Sequence, residues 1–162
     1  MEIIFAFDLK KPLFTKDNKF PISIEREINF PKYIGKIYLR DELILEVSGL
    51  SFIKIIYQNL QKYIEVKSNN YLSTTFSIEG DIVKVKNNFF YFLYGQPLAR
   101  LYYNAELAAT VTQKKLFPID QPSILIVDFK TEDEDLQFYL ILCLLSTQLW
   151  LDYSEAWIAP SK

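Results

Sequence analysis

The chain has 162 residues with 18 basic and 20 acidic side chains, a formal charge of −2 and no histidine. That balance excludes a general nucleic-acid binder, which needs a basic footprint to neutralise phosphates. The missing histidine removes Ser-His-Asp and Cys-His catalysis and the commonest transition-metal ligand.

Half of the residues are hydrophobic and 16% are aromatic, enough for one domain, residues 1–162, with a filled core that needs no disulfide or metal. The 4 glycines are scattered, so no glycine-rich phosphate loop exists and no cofactor is implied. Cys143 is the single cysteine and lies in an apolar run, which points to a buried, inert thiol and a reducing compartment. The N-terminal MEIIFAFDLKKP lacks the basic start and long apolar core of a signal peptide, so the expected location is cytoplasmic.

In chain order, Glu2 to Asp8 reads as a first strand, followed by a basic segment with Lys10, Lys11, Lys16 and Lys19. Ile22 to Phe30, between Pro21 and Pro31, reads as a second. From Tyr33 the alternation becomes regular through Arg40 and again over Leu43 to Ser48. Ser51 to Val66 fits either a helical period or two strands flanking Gln58-Asn59, and the two-strand reading is preferred. Turn signals at Asn69-Asn70, Glu79-Gly80, Asn87-Asn88, Gly95-Gln96 and Asn104-Ala105 then separate short β-branched and aromatic segments: Tyr71 to Ile78, Ile82 to Lys86, Phe89 to Tyr94, Leu98 to Tyr103 and Leu107 to Gln113. That rhythm is the mark of an antiparallel meander. After Lys114-Lys115 and a loop from Pro118 to Pro122, Ser123 to Phe129 is a strongly apolar strand.

The uncharged run Leu136 to Leu151 follows the acids Glu132 to Asp135. Thr131 and Glu134 have capping-box spacing, and the acids suit the positive end of a helix, so a helix is expected to start near Asp133. The acidic run lacks the interleaved Gly and Asn of a calcium loop, which favours capping over metal binding. The helix is apolar on nearly every face and must be surrounded; its uncharged run spans about 24 Å, short of a bilayer core of about 30 Å, which favours protein over lipid. A final strand is expected around Ala156 to Ile158. A sheet of about twelve strands curls and closes, and an apolar helix is its natural filler. The expected fold is therefore mainly β, a closed antiparallel barrel around a central C-terminal helix.

The segments YNAELAATVTQKK (Tyr103 to Lys115) and SILIVDFKTEDEDLQFYLILCLL (Ser123 to Leu145) carry a resemblance to the tubby C-terminal-like superfamily, which includes tubby, phospholipid scramblase and LURP-one-related proteins. The resemblance covers roughly the last third of the chain and implies a twelve-stranded barrel around a hydrophobic helix. It implies a non-enzymatic, peripheral binder of anionic phospholipid headgroups, with Lys114, Lys115 and Arg100 as the matching basic residues. Two other classes stay open. Trp150, Tyr153 and Trp157 could form an exposed surface for a protein partner, and Asp128, on an apolar strand, is the acid of most interest for a carboxylate-dependent hydrolase.

Overall fold

The computed structural model describes residues 2–5, 13–14, 20–29, 32–49, 53–88, 97–114 and 123–158. The strands are β1 (Glu2–Phe5), β2 (Leu13–Phe14), β3 (Ile22–Asn29), β4 (Lys32–Leu39), β5 (Glu42–Gly49), β6 (Ile53–Tyr57), β7 (Ile64–Asn69), β8 (Ser73–Ile78), β9 (Asp81–Asn87), β10 (Ala99–Tyr103), β11 (Glu106–Lys114) and β12 (Ser123–Phe129). Among the described residues one helix, α1 (Glu134–Ile158), follows them. The expected strand Phe89 to Tyr94, the basic segment Lys10 to Lys19 and the Pro118 to Pro122 loop lie outside the described residues.

The fold is mainly β, as the alternation predicts, but its ladders form two antiparallel sheets where the sequence reading expects one closed ring. One has the order β1-β12-β11-β10-β9-β8-β7 and the other β2-β3-β4-β5-β6. Read together they follow the chain in cyclic order, with ladder breaks between β1 and β2 and between β6 and β7 among the described residues. The second break has a cause in side-chain contacts. Asn59 takes a left-handed conformation (φ 54°) and its amide donates to the Leu43 carbonyl at 3.0 Å, while the backbone N–H of Lys62 donates to the Tyr139 hydroxyl at 2.9 Å. Residues 58–63 are thus tied to β5 and to the helix, not folded into a hairpin.

The tight turns are better behaved. Arg40-Asp41, Glu79-Gly80 and Asn104-Ala105 each have two residues at positive φ. Such paired left-handed residues twist the chain in the sense that adjoining strands require. All three turns sit at the same end of the molecule as the start of α1, because the meander alternates direction strand by strand.

Tyr139 to Thr147 are nine consecutive helical residues, each 2% exposed or less. A helix lying on one layer keeps a solvent stripe, so this run must be covered from every side. Both sheets supply the cover: α1 packs on β5 and on β9, the Tyr57 hydroxyl of β6 donates to Ser146 Oγ at 3.1 Å, and Tyr33 of β4 meets the Tyr153 ring edge-on at 5.7 Å. Inward residues of the strands, among them Ile37, Leu45, Val47, Phe76, Val83, Val85 and Leu101, complete the core. The two buried hydroxyls of the helix are satisfied locally, Ser146 donating to the Leu142 carbonyl at 2.6 Å and Thr147 to that of Cys143 at 2.9 Å.

Two expectations about the helix are corrected. Its cap is Asp133, whose carboxylate accepts from the N–H groups of Asp135 (3.0 Å) and Leu136 (3.2 Å), while Thr131 Oγ1 accepts only from the Asp133 N–H. Asp133→Ala is expected to lower stability by about 1 kcal/mol, measurable by urea unfolding. The strand around Ala156 to Ile158 is instead the last turn of α1, since no Gly or Pro interrupts the chain before Pro160. Among the described residues, no helix is long and apolar enough to cross a membrane.

Candidate anion-binding face

On β9 and β10 the buried residues Val83, Val85, Ala99 and Leu101 point to the core, so Lys84, Lys86, Arg100 and Tyr102 point outward. Register aligns them. Lys86 lies opposite Arg100, which lies opposite Thr110 of β11, which lies opposite Asp128 of β12. One row away, Lys84 lies opposite Tyr102, and Tyr102 opposite Leu107. The Lys86 ammonium sits 5.0 Å from the centre of the Tyr102 ring, a cation–π contact that holds the charge at the surface.

Of the three basic residues expected at the site, Arg100 is on this face, half-buried, beside Lys86 and Lys84. Lys114 is the last residue of β11, opposite Ile124. It stands four residues beyond Thr110, Arg100's partner, which is about 13 Å of strand. Lys115 lies outside the described residues. The structure therefore does not put Arg100 next to Lys114; it puts Arg100 next to Lys86. The signal for Lys86 was present in DIVKVKN, where both lysines occupy polar positions of a strict alternation.

Charge is sorted along the axis of the helix. At the end holding the helix N-terminus are the exposed acids Asp41, Glu42, Glu79, Asp81, Glu106 and Glu132 to Asp135, with Arg40, Lys62 and Lys130 among them. Lys62 is paired with Asp135, whose hydrogen bond raises the lysine's pKa. Hydrogen bonds from Tyr103 (2.5 Å) and Asn104 (3.0 Å) hold the Asp81 carboxyl below its ordinary range, keeping it ionised. Four strand ends at the opposite pole carry a lysine: Lys32 opens β4, Lys54 is second in β6, Lys86 is next to last in β9 and Lys114 closes β11. The acids Glu27, Asp152 and Glu155 also lie toward that pole, on β3 and the last turns of α1.

The other expected residues fall elsewhere. Tyr153 is buried against Tyr33 because α1 continues past Leu151, and Trp150 is half-buried with its ring 5.3 Å from that of Tyr71. The side chain of Trp157 lies outside the described residues. Asp128 is exposed and paired with Lys130. Comparison with protein-family models, curated proteins and solved structures gave no match.

Proposed function

We propose that this chain is a tubby-like, non-enzymatic protein of the cytoplasm that docks peripherally on anionic phospholipid through its basic pole. The reading takes the two sheets as the halves of one barrel wrapped around α1. The cyclic strand order and the helix buried on all sides support that, together with the sequence resemblance over Tyr103 to Lys115 and Ser123 to Leu145.

The observation that carries the functional reading is the segregation of charge. Among the described residues, nine exposed acids against three cations occupy one pole, whereas four lysines at strand ends against three acids occupy the other. Such an arrangement turns the basic pole toward a negative surface and the acidic pole away from it, which steers encounter as well as binding. Lys86 and Arg100, cross-strand neighbours, would meet the headgroups with Lys114.

Co-sedimentation with vesicles rich in phosphatidylserine tests this. Each basic residue at an anionic surface contributes about 1 kcal/mol, so Lys86→Ala and Arg100→Ala should each weaken binding about fivefold. Wild-type binding should fall steeply as salt rises. Failure to bind these vesicles at low salt would end the proposal.

A further inference from the structure

We infer that the β7–β8 turn is a membrane-inserting tip: Tyr71 and Leu72 enter the interfacial layer of an anionic bilayer, backed by Trp150. The inference rests on the headgroup-binding reading above and adds an apolar contact to it.

Tyr71 is 44% exposed and Leu72 65% exposed, an aromatic and an aliphatic side chain side by side at a hairpin tip. The tip belongs to the basic pole, since β7 runs from the Lys62 end toward the end where β9 finishes with Lys86 and Asn87. Lys86 lies directly opposite Ser73, the residue after Leu72, so a cation of the proposed site is placed beside the tip. Lys86 therefore sets a positive charge beside these two residues, which favours an anionic bilayer, and a tyrosine–tryptophan pair is the composition favoured at a membrane–water boundary.

The tip is also held in shape. Asn70 Oδ1 accepts from the N–H groups of Leu72 and Ser73, both at 2.9 Å, and the Asn70 and Ser73 backbones exchange bonds of 3.0 and 3.2 Å. The Leu72 carbonyl accepts from the Asn87 N–H at 2.8 Å, and Tyr71 rests on Trp150 of the core helix. A loop ordered in advance pays little conformational entropy on insertion.

The test uses the full chain and vesicles of phosphatidylcholine with phosphatidylserine. Burying a leucine side chain is worth enough for Leu72→Asp to weaken binding at least tenfold, to order of magnitude. The dependence on salt should stay as in wild type, and circular dichroism should show the fold intact. Leu72→Cys offers an accessible thiol while the native Cys143 is buried, so an environment-sensitive dye can be attached selectively at position 72. Its emission should shift to the blue with vesicles and be quenched by brominated acyl chains.

If wild type binds and lysine substitutions weaken it while Leu72→Asp and the dye report no change, insertion is overturned and surface binding stands. If wild type binds no anionic vesicle, both fall. Binding to a protein in place of vesicles, with Leu72 in the contact, would likewise overturn the bilayer as occupant.

Discussion

Gly35→Val is expected to destabilise the fold by about 1–3 kcal/mol, the usual cost of forcing extra carbons into a packed core. Gly35 lies in β4 against Leu149 of the helix. A Cβ built there would stand 3.0 Å from Leu149 Cδ2, 3.2 Å from Leu149 Cδ1 and 3.3 Å from the Tyr33 hydroxyl. The alternation of β4 places this residue inward between Tyr33 and Ile37, both buried. Glycine is thus chosen for closeness of approach, its φ not being left-handed. Urea unfolding of Gly35→Val, Leu149→Ala and the double variant measures the contact directly. The two costs should be less than additive, because trimming Leu149 opens the space that valine needs. Strict additivity, or a neutral Gly35→Val, would mean that the helix does not touch this strand.

Raising the pH is expected to weaken the protein through Cys143. Burial pushes the thiol's pKa far above its ordinary value, so the folded chain keeps the proton that the unfolded chain releases. The contribution is fully present below the unfolded thiol's value of about 8.5 and is lost as pH climbs above it. By pH 10.5 the loss from this one group amounts to about 2–3 kcal/mol relative to pH 7. Cys143→Ala lacks that component, so its alkaline stability curve should be flatter than that of wild type while both share the contributions of the tyrosines. A thiol reagent should label native Cys143 only at the rate at which the protein opens. Rapid labelling of the folded protein, or parallel alkaline curves, would contradict the burial of this residue.

The meander was legible because its turns are written locally. Glu79-Gly80 and Asn104-Ala105 interrupt clear alternation, and the structure puts hairpins at both. The burial of the helix was legible for a different reason: Phe138 to Leu145 contains no charge on any face, and an element without a polar side has no place at a surface. The break between β6 and β7 was hidden. It depends on Lys62 reaching Tyr139, a contact 77 positions away that no local pattern records.

The basic site was half-legible. That Lys86 and Arg100 face outward follows from the alternation of their strands, but that they lie side by side does not, because lateral order in a sheet is fixed by register. A bulge between Leu101 and Tyr102 sets that register on the β11 side, and the pairing of Ala99 with Asn87 sets it on the β9 side. Trp150 and Tyr153 were misplaced as well. A strand expected around Ala156 to Ile158 ends the helix before that point, whereas α1 runs on to Ile158 and buries Tyr153 against Tyr33; Trp150, inside the apolar run, is half-buried against Tyr71.

Because α1 follows every described strand in the chain, its place between the two sheets constrains biosynthesis. A ribosome delivers β1 to β12 first, and their inward residues have no filler until Tyr139 to Leu149 have left the exit tunnel. The nascent strands cannot bury their inward faces before then, and commitment to the native state comes in one late step as the helix is drawn in.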